Sequence, residues 1–246
     1  MNSIYNKIVR NKESNRKMLA ILLDPDKCRG GVLAATISAL KTSLPDFIFV
    51  GGSHTLQSTD SFIAVLQEET KAEIILFPGN ASQFTDKADA MLFLSLVSGR
   101  NSEFLIGQHV GSALAIKRSK IEVISTGYIL IDGGKPSSVE YMSNTRSIPS
   151  DKKDIALSTA LAAELLGMKM IYLEAGSGAV QPVSKEMISH VAQELSIPLI
   201  VGGGIKSIEA LKTAYSAGAD LVVVGNLFET QPEKIAEFIA CGKSFR

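Results

Sequence analysis

Eight short apolar segments recur along this chain, and each is followed by a loop and then by a stretch with helical spacing. The segments are continuously apolar rather than alternating, which is typical of parallel strands buried on both faces. Eight such strands within 246 residues predict one (β/α)8 TIM barrel over residues 1–246. A doubly wound open sheet is the main alternative, but it usually has fewer strands. The predicted strands are MLAILL (18–23), FIFVG (47–51), EIILF (73–77), AMLFLSL (90–96), EVIST (122–126), MIYLEA (170–175), PLIVGG (198–203) and LVVVGN (221–226).

The clearest helical stretch is DIALSTALAAELLGM, residues 154–168. Its apolar residues follow the spacing of one helical face, which predicts an amphipathic helix packed on the sheet. Gly167 near its end is a typical helix-terminating residue. The predicted apolar face consists of Ile155, Ala162, Leu165 and Leu166.

Three further segments complete the predicted organisation. SIEALKTAYSAGA (207–219) predicts a helix with Ser207 as its N-cap and Gly218 just past its end. The amphipathic start of the chain predicts an extra N-terminal helix that covers the floor of the barrel. Residues 132–151 are rich in Gly, Ser and Pro, and because they follow the fifth strand we expect an active-site loop rather than a linker.

The charge balance excludes a strong electrostatic attraction to nucleic acid or to an anionic membrane, because 25 Lys plus Arg offset 25 Asp plus Glu. Cys28 and Cys241 lie far apart without metal-type spacing, which indicates a reducing compartment. The N-terminus lacks the apolar core of a signal peptide, and no apolar run approaches the ~20 residues that span a bilayer. We therefore expect a cytoplasmic protein without a transmembrane segment.

Glycine and polar residues follow nearly every predicted strand, at the end where TIM barrels carry their active sites. GGGIKS (202–207) and GN (225–226) follow the seventh and eighth strands, where many barrels bind phosphate through backbone N–H groups. Tight turns with positive φ would also explain these glycines. Two adjacent loops of this kind beside GSG (176–178) favour a phosphate site. Its predicted residues are Ser177, Gly178, Gly203, Gly204, Gly225 and Asn226.

Glu174 is the last charged residue of the sixth predicted strand, and it lies next to the predicted phosphate loop rather than in it. An acid there repels phosphate, so its presence needs a chemical or a structural reason. We interpret it as a candidate general base that takes a proton from a bound hydroxyl. A structural carboxylate that accepts backbone hydrogen bonds is the alternative. Tyr172 shares its side of the strand, because side chains two residues apart point the same way, and it is a candidate for hydrogen bonding to the same substrate.

Asp24, at the end of the first strand, is a candidate Mg²⁺ ligand, since hard cations prefer carboxylate and diphosphate oxygens. A helix cap or an Asx turn is an equally good explanation of this residue. Ser53 is a possible neutral oxygen ligand or an ordinary turn serine.

Other polar residues of the loops have weaker signals. His54, Lys27 and Arg100 are either phosphate contacts or solvated loop residues. His109 and His190 are interpreted as ordinary helix or surface histidines. No cluster of His and Cys indicates zinc.

Taken in order, the strand-end motifs LLDPDK, GGS, YLEAGSGA, GGGI and GN resemble the geranylgeranylglyceryl phosphate synthase family, which includes bacterial heptaprenylglyceryl phosphate synthases. The segment GYILIDGGK with SVEYMSNTRSIP is similar to the larger archaeal-type and related bacterial branch. The resemblance implies a prenyltransferase that joins sn-glycerol 1-phosphate to geranylgeranyl diphosphate with Mg²⁺, forming an ether and releasing diphosphate. It also implies a homo-oligomer, either a dimer or a hexamer.

The resemblance also assigns roles to individual residues. It implies that Asp24 and Ser53 bind Mg²⁺ and that Glu174 is the catalytic base, assisted by Tyr172. The glycerol 1-phosphate contacts that it implies are Tyr172, Leu173, Glu174, Ala175, Gly176, Ser177, Gly178, Gly203, Gly204, Gly225 and Asn226.

A prenyl chain requires an apolar groove, and its candidate lining residues are Phe77, Leu94, Leu96 and Ile129, although barrel packing would explain each of them. Two other functions stay open. A phosphosugar isomerase or cyclase would use a second acid such as Asp132. A Schiff-base aldolase would need a lysine inside a strand, and none of the predicted strands has one. A barrel that only binds anions would gain nothing from acids at the site.

Overall fold

The computed structural model describes residues 3–245 as a closed barrel of eight parallel strands, in which each strand pairs with its neighbours in sequence and β8 pairs with β1. The predicted TIM barrel is thus confirmed. The strands are β1 Met18–Leu23, β2 Phe47–Val50, β3 Ile74–Leu76, β4 Ala90–Leu96, β5 Glu122–Leu130, β6 Met170–Glu174, β7 Leu199–Gly202 and β8 Leu221–Val224.

Helices surround the barrel and close its floor. A turn of π-helix, Glu103–Gly107, leads directly into α4, and short 3-10 turns lie at Ala81–Gln83 and Pro232–Lys234. The α-helices are α1 Ile4–Glu13, α2 Gly30–Thr42, α3 Thr59–Glu69, α4 Gln108–Arg118, α5 Ser138–Ser143, α6 Lys153–Leu165, α7 Lys185–Ala192, α8 Ile208–Ser216, α9 Asn226–Thr230 and α10 Ile235–Ser244.

Helix α1 is the extra N-terminal helix, and it covers the floor of the barrel as predicted. Ile4 and Ile8 are buried against the side chains that fill the barrel interior. The Ile4 N–H donates to Glu122 Oε2 at 2.7 Å, at the first residue of β5. Lys12 pairs at 3.1 Å with Asp220, which precedes β8. The helix is therefore fixed to the amino-terminal ends of the strands and leaves the opposite end open.

Alternate residues of each strand fill two separate cores. Tyr172 and Met170 of β6 point into the barrel, whereas Ile171 and Leu173 pack against the surrounding helices. This alternation follows from the two-residue period of a strand. It decides which residues near the strand ends can reach the open end of the barrel.

Strand β5 is longer than predicted, because Gly127 lies inside the strand instead of ending it. A Cβ at Gly127 would lie 2.9 Å from the Cβ of Ala163 and 3.0 Å from Met168 Sδ. The glycine therefore provides the space in which α6 approaches the sheet. All seven residues of β4 consequently pair with β5, up to Leu96 beside Tyr128.

The predicted buried face of α6 is wrong. The helix packs through its small residues Ala156, Ala160 and Ala163, while Leu165 is 87% exposed. Close approach to the sheet at Gly127 requires small side chains at the contact, and the larger Leu157 and Leu161 are only partly buried beside it. The helix ends at Leu165, before Gly167 with a φ of +88°. Ile155 and Leu166 are also exposed, and Ala162 is not among the buried residues.

Helix α8 begins as predicted, because the Ser207 hydroxyl accepts from the N–H of Ala210 at 3.2 Å. Its helical residues end at Ser216, and Gly218 follows with a φ of +117°. Within residues 3–245 no helix combines the length and the apolar character needed to cross a bilayer.

Candidate active site

A polar cleft opens at the carboxyl ends of the strands and measures about 1030 Å³ with its mouth included. It brings together residues from the ends of β1, β2, β6, β7 and β8, far apart in the sequence. We call this the polar cleft. The sequence-predicted site residues that line it are Asp24, Ser53, Tyr172, Glu174, Ser177, Gly178, Gly203, Gly204, Gly225 and Asn226.

Glu174 lies at the base of the polar cleft and is 7% exposed. Its Oε1 accepts a hydrogen bond from the N–H of Gly176 at 2.8 Å. Burial raises the pKa of Glu174 to about 7, and the nearby Tyr172 hydroxyl and the Gly176 N–H counteract part of this effect. Removing a carboxylate from water disfavours its charged form. A carboxyl group that titrates near neutral pH can accept or release a proton during turnover.

Tyr172 is fully buried beside Glu174, and its hydroxyl makes no hydrogen bond of normal geometry within residues 3–245. Its ring packs against Tyr128, with 5.2 Å between the ring centroids. A Cβ at Gly202 would lie 2.3 Å from the Tyr172 hydroxyl and 2.8 Å from Glu174 Oε2. The hydroxyl and the carboxylate therefore converge above Gly202. A buried polar atom without a partner usually marks a position where a ligand or water binds.

The predicted phosphate loops are joined by Asn226. Its Oδ1 accepts from Ser177 Oγ at 3.0 Å and from the Gly178 N–H at 2.9 Å. Its Nδ2 donates to Glu229 Oε2 at 3.1 Å, which fixes the orientation of the amide. The loops after β6 and β8 thus meet through donors of the kind that bind phosphate oxygens.

Gly203 and Gly204 form the turn after β7 with φ values of +80° and +71°. A Cβ at Gly203 would lie 2.4 Å from Glu174 Oε1 and 2.8 Å from the Gly176 nitrogen. Glycine is required here both for the backbone conformation and for the close approach of the carboxylate.

Three residues implied by the resemblance contribute no surface to the polar cleft, namely Leu173, Ala175 and Gly176. Leu173 points outward because it alternates with Tyr172 and Glu174 along β6. The Ala175 N–H donates to the carbonyl of Gly202 at 3.0 Å, and the Gly176 N–H is held by Glu174. In this arrangement these residues shape the loop.

Asp24 and Ser53 both line the polar cleft, where they follow the neighbouring strands β1 and β2. Asp24 Oδ1 accepts from the Asp26 N–H at 2.9 Å, and Oδ2 lies 3.6 Å from Lys27 Nζ. In the described part of the chain no group of three or more His, Cys, Asp or Glu could hold a metal ion. One carboxylate and one hydroxyl still fit Mg²⁺, which is commonly held by one or two carboxylates, waters and substrate phosphates.

An apolar groove of about 900 Å³, its mouth included, adjoins the polar cleft and shares part of its wall. We call it the apolar groove; its lining includes Phe77, Leu94, Leu96, Phe104 and Met142. Three of the four lining residues suggested from the sequence, Phe77, Leu94 and Leu96, therefore line the apolar groove. Ile129 does not, because it faces the helices rather than the barrel interior.

His109 lies in helix α4, in agreement with the helix interpretation, but it is not a surface histidine, since it is 7% exposed and lines the apolar groove. Its Nε2 lies 3.3 Å from Ser95 Oγ, and its ring packs edge-on against Phe93 with centroids 4.3 Å apart. Burial lowers its pKa, so the neutral ring is favoured. His190 is remote from the site and bonds Asp154 at 2.8 Å.

Two charged residues of the polar cleft, Lys206 and Glu229, were not predicted from the sequence. Lys206 donates from Nζ to the carbonyl of Ala179 at 2.7 Å and so ties the turn after β7 to the loop after β6. Glu229 contacts Lys27 at 3.3 Å as well as the amide of Asn226. Lys206 could have been found from its position beside GGGI, whereas the role of Glu229 depends on the tertiary fold.

The remaining weak candidates separate clearly. His54 and Lys27 line the polar cleft, whereas Arg100 and Asp132 do not. Asp132 is exposed, and its Oδ1 accepts from the Gly134 N–H at 2.9 Å, which is a local turn contact.

Comparison with known proteins agrees with the sequence motifs, and the match to the PcrB family covers residues 9–243. The chain is 48% identical over 237 residues to the geranylgeranylglyceryl phosphate synthase of Chitinophaga pinensis, covering 96% of this chain and 94% of that protein. It is 38% identical over 228 residues to the synthase of the same name from Korarchaeum cryptofilum, covering 92% and 93%.

The crystal structure of (S)-3-O-geranylgeranylglyceryl phosphate synthase from Thermoplasma acidophilum in complex with sn-glycerol-1-phosphate has the same fold, with a TM-score of 0.91 and 34% identity. The superposition covers 99% of this chain and 100% of that one. The resemblance that the strand-end motifs indicate is confirmed, and the chain belongs to the PcrB family.

Proposed function

We propose that this protein is a prenyltransferase that joins sn-glycerol 1-phosphate to geranylgeranyl diphosphate through an ether bond and releases diphosphate. The observation that carries the proposal is the wall shared by the polar cleft and the apolar groove. Gly52, Ser53, Phe77, Tyr128 and Val139 line both spaces. A polar phosphate substrate and an apolar chain can therefore meet at one boundary, with Glu174 on the polar side.

The polar cleft binds the glycerol phosphate at its phosphate end. Ser177, Gly178 and Asn226 supply hydroxyl, backbone and amide groups there, while Gly203 and Gly204 let the turn after β7 come close. Holding the phosphate at one end places the free hydroxyl at a fixed distance from it, so that orientation contributes to the rate.

Glu174 receives the proton of the substrate hydroxyl. The hydroxyl oxygen forms a bond to C1 of the prenyl chain, the bond from C1 to the diphosphate oxygen breaks with its electron pair leaving on diphosphate, and the proton passes to the carboxylate. A pKa of about 7 suits this step, because the base is ionised in part of the molecules and strong enough to take a proton. The Tyr172 hydroxyl, which converges on the same space, orients the substrate hydroxyl.

Asp24 and Ser53 would hold Mg²⁺ together with the diphosphate. The ion supplies neutralising charge for the leaving group. Asp24 would supply negative charge for the ion, because its neighbouring cation, Lys27 Nζ, is shared between Asp24 Oδ2 at 3.6 Å and Glu229 Oε1 at 3.3 Å.

A phosphosugar isomerase or cyclase is a weaker candidate. It would need Asp132 as a second acid, but Asp132 is exposed and lies outside the polar cleft. It would also leave the apolar groove without an occupant. The cytoplasmic location, the single-domain organisation and the homo-oligomeric state stay predictions.

The test is incubation of the protein with Mg²⁺, labelled glycerol 1-phosphate and prenyl diphosphates of several chain lengths. We expect an acid-stable ether product, detected by mass spectrometry, together with released diphosphate. The absence of product with every chain length would contradict the proposal. Phosphosugar isomerisation by the same preparation would favour the second candidate.

A further inference from the structure

The polar cleft has few free positive charges for the anions that it is proposed to bind. Asp24, Glu174 and Glu229 line it as acids. Lys27 lies between two of them, 3.6 Å from Asp24 and 3.3 Å from Glu229. Lys206 already donates to a backbone carbonyl. A phosphate at this site therefore needs a further cation to balance its charge.

The loop after β5 is fixed against the phosphate loop by backbone contacts. The carbonyl of Gly133 accepts from the N–H groups of Val180 at 2.9 Å and Gln181 at 3.1 Å. A Cβ at Gly133 would lie 2.2 Å from the carbonyl oxygen of Ala175, so only glycine permits this contact. Gly134 follows with a φ of +85°. These contacts fix the backbone of the turn, and therefore the point from which the next side chain, Lys135, extends.

Lys135 extends over the phosphate loop. A Cβ at Gly178 would lie 3.2 Å from Lys135 Nζ and 3.9 Å from its Cε. Within residues 3–245 the ammonium group makes neither a hydrogen bond nor an ion pair, in contrast to Lys27 and Lys206. Gly178 is the residue whose N–H faces the Asn226 amide at the predicted phosphate site.

We propose that Lys135 is a further substrate-binding residue, which contacts the phosphate of glycerol phosphate from the side of the β5 loop. This inference rests on the proposed function for the identity of the phosphate ester. The ammonium supplies the charge that the neutral donors of the loop lack, and it is near the phosphate end rather than the reacting hydroxyl. It should therefore affect binding of the phosphate ester more than the chemical step.

The test compares Lys135→Met with Lys120→Met, a matched control that removes the same charge from an exposed lysine before β5, at the opposite end of the barrel. We expect Lys135→Met to raise the KM for glycerol 1-phosphate by about 5- to 20-fold, as a solvent-accessible charged hydrogen bond to phosphate would. The kcat and the KM for prenyl diphosphate should stay within about twofold. Lys135→Arg should restore most of the affinity because it keeps the charge.

Calorimetric binding of glycerol 1-phosphate and of inorganic phosphate separates this inference from the proposed function, because it needs no turnover. Weaker binding of both ligands by Lys135→Met alone supports the contact even if no ether product forms. Equal affinities of Lys135→Met and Lys120→Met would overturn it. An equal loss for glycerol phosphate and prenyl diphosphate would also overturn it, since it would indicate a general charge effect.

Discussion

Replacing Glu174 with Gln should remove the loss of stability that we expect as the pH rises from 4.5 to about 7, and it should also remove activity. The carboxyl group has a pKa of about 7 in the fold and an ordinary value of 4.5. Between these two pH values the folded protein holds a proton on Glu174 that the unfolded chain has lost. The free energy of unfolding therefore falls as the pH rises through this window, and the stability is lowest above pH 7.

The size of the effect follows from the two pKa values. Their difference of about 2.5 corresponds to about 3 kcal/mol at 1.36 kcal/mol for each pKa unit. The amide introduced by Glu174→Gln carries no charge, so this pH-dependent penalty disappears in the variant. A buried amide that lacks a full set of partners costs about 1–3 kcal/mol, which is a constant offset at all pH values. The difference between variant and wild type should thus change by about 3 kcal/mol across the window.

The assay is denaturant unfolding of both proteins at intervals from about pH 4 to pH 9, read as the midpoint and slope of the transition. Glu140→Gln is the control, because the pH dependence of stability that Glu140 contributes has the opposite sign. Burial alone would raise the pKa of Glu140, but the hydrogen bonds from Ser137 and Ser147 together outweigh it and lower this pKa. Its stabilisation is present above pH 4.5 and is lost as the pH falls through the lowered pKa, so Glu140→Gln should lose stability at neutral pH.

Turnover provides the second reading of the same variant. We expect Glu174→Gln to lower kcat by about 10²- to 10⁴-fold, the range of a missing general base, with the KM for glycerol 1-phosphate changed by less than about threefold. In the wild type, kcat/KM should rise with pH through an apparent pKa near 7. A stability difference that stays constant from about pH 5 to pH 8 would refute the reasoning from burial. Parallel losses of kcat and of binding would refute the assignment of Glu174 as the base.

Three other changes probe separate parts of the site. Gly203→Ala places a Cβ 2.4 Å from Glu174 Oε1 in a backbone with a φ of +80°, so we expect it to lower the free energy of unfolding by about 2–4 kcal/mol and to abolish turnover. An unchanged melting temperature would contradict this expectation. Asn226→Asp puts a carboxylate beside Glu229, where phosphate is predicted to bind, so the KM for glycerol 1-phosphate should rise at least about tenfold. An unchanged KM in steady-state kinetics would show that Asn226 is remote from the ligand. Asp24→Asn should raise the Mg²⁺ concentration for half-maximal activity by about tenfold or more, with glycerol phosphate affinity retained in calorimetry; loss of that affinity instead would indicate a structural role for Asp24.

The barrel could be predicted because each strand has its own local signal. Continuous apolar runs such as 18–23 and 90–96 match the observed strands in full. The errors lie where a residue's local preference and its tertiary role differ. Gly127 has a low preference for strands, yet it belongs to β5 because it makes room for Ala163. Helix α6 shows the same effect, since its close approach to the sheet at Gly127 favours alanine over the larger apolar residues from which a helical face is usually predicted.

The candidate site was predictable along β6 and the glycine turns, and less so elsewhere. Glu174 and Tyr172 share a face through the two-residue period, so their convergence could be expected. The two-residue period of β5 places Ile129 on the helix side and so excludes it from the apolar groove. The predicted strand ends at residue 126, before Ile129, so this argument could not be applied from the sequence. Contacts such as that of Glu229 with Lys27 join segments about two hundred residues apart, and no short motif encodes them.

The shared wall of the polar cleft and the apolar groove has a consequence for the order of events after bond formation. In the proposed reaction diphosphate leaves as a separate ion, but the ether product keeps both its phosphate and its chain, so it would occupy both spaces at once. Every additional buried CH₂ strengthens its retention by about 0.8 kcal/mol. Because α1 closes the opposite end of the barrel, the product leaves by the side through which the substrates entered. We therefore expect departure of the lipid to become the slow step as the chain lengthens, and detergent micelles or vesicles that accept the product to accelerate multiple turnovers while leaving the first turnover unchanged.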